Sequence, residues 1–528
     1  MDIGWLTRQA MSPSRTTSPE APAVSFEGGP TWTYRELHHK VNQYANALLA
    51  MGVGPGDRVG ILMQNAIEYL AIYLAVARCR AIAVRINFRL VAEELSFILH
   101  DAAPAVLCLD GATVKTVATL ASALSVGRTI VRAPSDDIPA WAEGWDVLDQ
   151  GSAEEPHVHR PSADDPAMLM YTSGTTGRPK GALWSHDNLL WFAAMQRMRW
   201  ALGPETAALM TGPMYHVGAI EDVGLATLLA GGHVILMQSR QFDIQRALTS
   251  IETHRVTDAV LFPFMIYSLL HQPEDWGEAM HTVRHIYSGG DPVLPWATAE
   301  LSRRMPHTVL TQVYGLTEGT PIITSLDGEP LRSSSVGTPL PLAEVRVMDD
   351  KNQPCPVGEV GEIWTHSPVV ALRYWNSPEA TSETFRDGWC RTGDLGYIDD
   401  AGYLYVVGRK KDMIRSGGEN VYPAEIEDVL MRHPGVQEVA VIGVPDAAYL
   451  EAVCAIIVRA PDQDLDVDGI VAYCRQHLAS YKKPRHVLFV AELPRTPSGK
   501  VQKQLLRERW QDPQTMRVSS ERLDPGHR

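Results

Sequence analysis

Residues 168–180 constrain this chain more than any other stretch. They read Met168-Leu169-Met170-Tyr171-Thr172-Ser173-Gly174-Thr175-Thr176-Gly177-Arg178-Pro179-Lys180. The apolar start predicts a strand, and the rest predicts a loop leaving its end. Two glycines let the backbone come close to an anion. The hydroxyls and free N–H groups can cradle phosphate oxygens, and Arg178 and Lys180 add positive charge. The stretch is not of the GxxxxGK[ST] type, because Lys180 follows Pro179 and precedes Gly181, which opens no helix. So many hydroxyls, glycines and cations together point to a phosphate-bearing ligand held at a strand end.

The surrounding sequence predicts sheets covered by helices. Thr33-Tyr34-Arg35-Glu36 reads as an N-cap with a capping box. Leu37, Val41, Tyr44, Ala45 and Leu48 follow at helical spacing, and Gly52 ends the helix. Residues 68–79 predict a second helix. Short apolar runs at 105–109, 234–237, 259–262 and 284–287 predict buried strands with helices between them. Residues 151–166 are polar and proline-bearing, as a surface connection would be. After Gly408, strand-like runs at 436–444, 452–458 and 487–490 combine with helical runs at 423–432 and 468–478. The expected fold is therefore α/β, with a large N-terminal domain of helix-covered mixed sheets over 1–408. A hinge at 409–412, a small α+β domain over 413–510 and a polar tail over 511–528 complete the division. No internal repeat is visible.

Composition removes several classes of function. With 47 basic against 62 acidic residues, the net charge of −15 disfavours nucleic acid as a partner. The six cysteines are scattered and form no CxxC pair, so neither a zinc site nor a disulfide framework is expected. No basic-then-apolar leader opens the sequence, and no run reaches the ~20 apolar residues of a membrane span. A cytoplasmic location is the expectation, as a monomer or homodimer.

Six further motifs carry polar chemistry. Tyr314-Gly315-Leu316-Thr317-Glu318 follows a strand-like run, and its Thr-Glu pair can offer a hydroxyl to phosphate and a carboxylate to Mg²⁺. Ser288-Gly289-Gly290-Asp291-Pro292 is a turn after a strand. Arg391-Thr392-Gly393-Asp394-Leu395-Gly396 places a carboxylate on a glycine-flanked loop, suited to ribose hydroxyls. Gly408-Arg409-Lys410-Lys411-Asp412 is a basic cluster, and Ser416-Gly417-Gly418-Glu419 and Arg495-Thr496-Pro497-Ser498-Gly499-Lys500-Val501 are glycine-bearing turns.

Together, in this order and over nearly the whole chain, these motifs resemble the adenylate-forming superfamily of acyl-CoA synthetases, firefly-type luciferases and peptide-synthetase adenylation domains. The resemblance implies ATP contacts by Thr172, Ser173, Gly174, Thr175, Thr176, Gly177 and Lys180, and an adenine and acyl wall of Gly289, Gly290, Asp291, Tyr314 and Gly315. It gives Thr317 the α-phosphate, Glu318 the metal, and Asp394 and Arg409 the ribose and phosphate. Lys411 becomes the pivot and Lys500 the catalytic lysine bridging carboxylate and α-phosphate. Gly417, Gly418 and Glu419 approach the pantetheine arm of coenzyme A once the small domain has rotated. His216, in Pro213-Met214-Tyr215-His216, gates the acyl pocket, which Gly315 also lines. The implied reaction uses ATP, Mg²⁺ and CoA to turn an acid into its acyl-adenylate and then its thioester.

Three features depart from the family pattern. Asp291 stands where a small apolar residue is usual. Leu450, in Pro445-Asp446-Ala447-Ala448-Tyr449-Leu450-Glu451, replaces a glycine near the CoA entry. Glu221 and Asp222 follow His216 where a fatty chain would meet them, and burying bare carboxylates against alkyl groups is costly. Either they face the pocket and meet a hydroxyl or amine of an aromatic or polar acid, or they face solvent at the start of a helix. The same features leave open other acceptors for the adenylate chemistry: an aryl amine after nitrite activation, or a carrier protein acting in trans.

Overall fold

The computed structural model describes residues 2–12, 17–120, 126–172, 179–239, 242–273, 276, 279–329, 332, 334–416, 419–446, 449–461, 463, 465–495 and 501–511. Contacts divide the chain into two compact units, 1–345 with 364–392, and 346–363 with 393–528.

Among the described residues the first unit holds two large sheets. The nine-stranded one runs, in spatial order, Thr338–Pro339, Thr320–Asp327, Val309–Leu316, His285–Gly289, Asp258–Val260, Ala207–Met210, His233–Leu236, Pro22–Phe26 and Thr31–Thr33. From Val309–Leu316 to Pro22–Phe26 the strands are parallel. The eight-stranded sheet runs Arg373–Tyr374, Lys180–Ser185, Pro166–Thr172, Ile82–Arg85, Arg58–Leu62, Val106–Asp110, Arg128–Arg132 and Glu143–Gly144. Its strands from Pro166–Thr172 onward are parallel. Parallel sheets need both faces covered, which is why these strands are short, continuous apolar runs.

Helices supply that cover. Tyr34–Ala50 starts at Thr33, whose hydroxyl accepts from the Glu36 N–H while the Glu36 carboxylate accepts from the Thr33 N–H at 2.7 Å. Ile67–Arg78 is buried at every position but Glu68, as its nearly all-apolar sequence requires. The predicted strand at 259–262 ends earlier, at Val260, because Pro263 opens the helix Pro263–Leu270.

The second unit begins earlier than Gly408 by contacts, because residues 394–398 pair antiparallel with Leu404–Arg409. Its own sheet joins Glu419–Val421, Ile414–Ser416, Leu450–Arg459 and Val436–Asp446, with His486–Val490 alongside Leu450–Arg459. Residues alternate between two cores across this sheet. Val453, Ala455 and Ile457 pack with Ile426, Leu430 and Ile470 on one face. Ala452, Cys454 and Ile456 pack with Leu488 and Leu506 on the other. Among the described residues no helix is long and apolar enough to cross a membrane.

Candidate active site

Ligands of open α/β sheets bind at the carboxyl ends of the strands, where the loops diverge. Three adjacent parallel strands of the larger sheet, Ala207–Met210, Asp258–Val260 and His285–Gly289, carry residues 211–222, Leu261-Phe262 and Ser288–Asp291 at that edge. Val309–Leu316 carries Thr317 and Glu318 to the same edge, and Pro166–Thr172 brings Thr172 from the other sheet.

The two sheets meet chemically at Glu318. Its Oε1 accepts from the Thr172 hydroxyl at 2.7 Å and from the Tyr374 hydroxyl at 3.1 Å. The Lys180 ammonium lies 5.3 Å from the centre of the Tyr374 ring. Burial, then the Glu318 charge, hold the Tyr374 phenol well above the ordinary tyrosine range, so it stays a donor. The Trp184 indole N–H donates to the Thr317 carbonyl at 3.1 Å and fixes the turn that presents the Thr-Glu pair. Gly315 forms the bulge before it, where the strand register shifts; a Cβ there would sit 2.3 Å from the Thr320 and Pro321 carbonyl oxygens. No other residue fits that close approach.

Thr172, Lys180, Thr317 and Glu318, all singled out in the sequence, therefore come together. Tyr374 and Trp184 complete the group and carry no motif of their own. Gly290, at φ +90°, makes the turn after His285–Gly289 and leaves Asp291 exposed, while the buried Ser288 hydroxyl has no hydrogen-bond partner. In the second unit, Asp394 and Arg409 are cross-strand partners with Oδ1 and Nε 3.4 Å apart. Lys411 lies in the exposed turn Lys410–Asp412, and Glu419 is exposed on the strand Glu419–Val421. Ser173, Gly174, Thr175, Thr176, Gly177, Gly417, Gly418 and Lys500 lie outside the described residues.

A divalent cation fits here only in a particular way. Among the described residues no group of three or more His, Cys, Asp or Glu could hold a metal alone. Glu318 offers a carboxylate flanked by hydroxyls, which suits Mg²⁺, an ion normally bound by one or two carboxylates and otherwise by phosphates and water.

The acid pair is where the structure corrects the sequence. Glu221 does not face solvent. It is fully buried, and its Oε1 pairs with the Arg85 guanidinium, also fully buried. Arg85 donates to the Met214 carbonyl through Nε at 2.8 Å and to the His216 carbonyl at 3.1 Å, and stacks over Tyr73. The amine that meets Glu221 is thus the protein's own. Asn65 adds to the same loop, donating to the Gly212 carbonyl and accepting from the Met214 N–H. His216 caps the short helix Val217–Ile220, its Nδ1 accepting from the Gly218 N–H at 3.1 Å. Arg85 closes the apolar run Ile82-Ala83-Val84; a cation ending a buried strand was the signal for it.

The chain then turns sharply. Val223, fully buried, has φ +63° and ψ −42°, and the Gly224 N–H bonds the Asp222 carbonyl at 2.6 Å. This is a γ-turn of the strained hand, a backbone state costing of order 1–3 kcal/mol. Gln196 clamps it, accepting from the Val223 N–H at 2.6 Å and donating to the Glu221 carbonyl at 2.9 Å. Leu450 also takes a left-handed conformation, φ +68°, with its side chain 72% exposed. The glycine-type backbone is kept there, and the leucine side chain projects outward.

The AMP-binding enzyme family matches residues 11–375, and its C-terminal domain matches residues 425–500. A feruloyl-CoA synthase from Amycolatopsis is 39% identical over 510 residues, covering 96% of this chain and 98% of the relative. A long-chain-fatty-acid–CoA ligase from Mycobacterium tuberculosis is 36% identical over 513 residues, with 96% and 98% covered. The structure of ATP-bound MatB from Rhodopseudomonas palustris aligns at a TM-score of 0.88 and 33% identity, over 97% of this chain and 100% of that one. With the Thr-Glu site at the carboxyl edge and both family domains in order, the chain belongs to the acyl-CoA ligase family of AMP-binding, adenylate-forming enzymes.

Proposed function

We propose that this enzyme activates a substituted aromatic or otherwise polar carboxylic acid as its acyl-adenylate and passes the acyl group to CoA. The observation that carries the reading is the meeting of Thr172, Thr317, Glu318, Lys180 and Tyr374 at one strand edge. A carboxylate oxygen attacks the α-phosphorus of ATP, the α–β bridging bond breaks, and pyrophosphate leaves. The CoA sulfur then attacks the acyl carbon, the thiol proton is lost, and AMP leaves.

The protein's task is positioning and charge neutralisation, because an anion must approach a polyanion. The hydroxyls of Thr172 and Thr317 face phosphate oxygens, and Lys180 adds a cation. Mg²⁺ on Glu318 would neutralise phosphate charge. Lys500 joins the carboxylate to the α-phosphate in the first step, Asp394 accepts the ribose hydroxyls beside Arg409, and Lys411 is the pivot. Gly417, Gly418 and Glu419 meet the thiol arm in the second step. His216 and Gly315 border the acyl group.

The polar preference is supported by the relative named for feruloyl, an aromatic acyl group, and by the carboxyl of Asp222 in the segment after His216. The relative named for long-chain fatty acids supports the opposite preference. Nitrite activation or carrier loading gains nothing from Glu221, which is engaged with Arg85. The test is pyrophosphate release with ATP and Mg²⁺ over aliphatic and aromatic acids and nitrite, with and without CoA. Turnover with an aromatic acid, accelerated by CoA, is expected. Turnover confined to alkyl acids removes the polar preference, and release indifferent to CoA removes the thioester step.

A further inference from the structure

Asp222 is left in an unusual position by its neighbours. The buried cation Arg85 is committed to Glu221 and to the carbonyls of Met214 and His216. Asp222 is partly exposed as a residue, yet its Oδ1 is buried and has no hydrogen-bond partner. A buried polar atom of a native protein normally has a partner, so each exception calls for an explanation. Its Oδ2 borders Gly218, where a Cβ would lie 3.5 Å from that oxygen and 3.2 Å from His216 Nδ1. Carboxyl and imidazole therefore flank one spot at the carboxyl edge of the larger sheet. Gly212 borders the same loop, where a Cβ would meet Phe262 and Ala219.

The backbone is arranged to hold the carboxyl there. The strained γ-turn at Val223 directly follows Asp222, and the Gln196 side chain clamps both flanking peptides. The Asp222 N–H is tied to the Val217 carbonyl at 3.2 Å. Strain of this kind persists only where its surroundings enforce it, and it concentrates at ligand-binding sites. Glu221 Oε2 and the Tyr215 hydroxyl in the same loop, and the Ser288 hydroxyl near the end of the parallel strand His285–Gly289, are also without partners.

On the acid:CoA ligase reading above, we infer that Asp222 is a specificity-determining residue that hydrogen-bonds a hydroxyl or alkoxy substituent of the acid. Burial, then the Glu221 charge, raise its carboxyl well above the ordinary carboxylate range, and a carboxyl in its neutral form offers both a donor and an acceptor. A phenolic hydroxyl complements both. A plain alkyl or aryl acid leaves the carboxyl unpaired and is rejected on that account.

The test is kcat/KM, by pyrophosphate release with ATP, Mg²⁺ and CoA, for 4-hydroxy-3-methoxycinnamic acid against unsubstituted cinnamic acid. Wild type prefers the hydroxylated acid. Asp222→Leu lowers the ratio of the two by about tenfold or more, whereas Asp222→Asn, which still donates and accepts, keeps it within about threefold. An unchanged ratio in Asp222→Leu overturns the inference, as does an equal loss in Asp222→Asn. If Asp222→Leu fails to fold by thermal melting, Asp222→Ala reads the same ratio. Turnover of both aryl acids with no preference in wild type overturns Asp222's role alone. Turnover of neither, with alkyl acids or with none, overturns the aromatic reading and this inference together.

Discussion

Val223 and Leu450 hold nearly the same unfavourable backbone angle in opposite surroundings. Val223, at φ +63°, is fully buried; Leu450, at φ +68°, is 72% exposed. Tertiary contacts enforce the first: Gln196, from the helix His186–Trp200, bonds the peptides on both sides of Asp222, just before Val223. A local hairpin enforces the second, where Asp446 pairs with Leu450 and accepts from the Tyr449 N–H. Strain imposed by packing is coupled to everything packed there, while strain imposed by a turn is confined to the turn. Removing support should therefore damage the first region broadly and barely disturb the second.

The largest effect is expected from Arg85→Met. It leaves Glu221 buried without its cation and should cost about 3–5 kcal/mol, read from urea unfolding. A loss below about 1 kcal/mol would mean that Glu221 is not held as a buried partner of Arg85. Gln196→Met comes next. It strands the Val223 N–H and the Glu221 carbonyl and should cost about 2 kcal/mol by the same measurement. A neutral result would detach the γ-turn from its clamp. The smallest effect belongs to Leu450→Gly, which relieves the left-handed backbone at a small entropic cost in the unfolded chain. It should gain about 0.5–1 kcal/mol by thermal unfolding. A loss instead would show that the exposed leucine side chain makes a stabilising contact, which would narrow the contrast between the two regions.

The site is legible in the sequence to different depths. Thr172 and Glu318 announce themselves through loop and strand-end motifs, and the structure joins them at 2.7 Å. Tyr374, which shares the same carboxylate, stands 56 residues from Glu318 in no recognisable pattern. Trp184 lies in a strand where an indole reads as ordinary core, yet its N–H holds the Thr317 peptide. The sequence left Glu221 between a substrate pocket and solvent, and pointed to neither Arg85 nor the buried pair they form, because that partner is 136 residues away and local pattern does not register so distant a charge.

What the sequence determined by itself is what short-range physics controls. The capping box at Thr33 and Glu36, the apolar runs of the parallel strands and the strand and helix runs of the small unit all follow from contacts within a few residues. Only the tertiary structure decided which buried charges found partners. Packing paired Arg85 with Glu221 Oε1 and left Glu221 Oε2 and Asp222 Oδ1 without partners. A buried charge is stabilised by the geometry of groups brought together from distant parts of the chain, and that geometry exists only once the sheets have assembled.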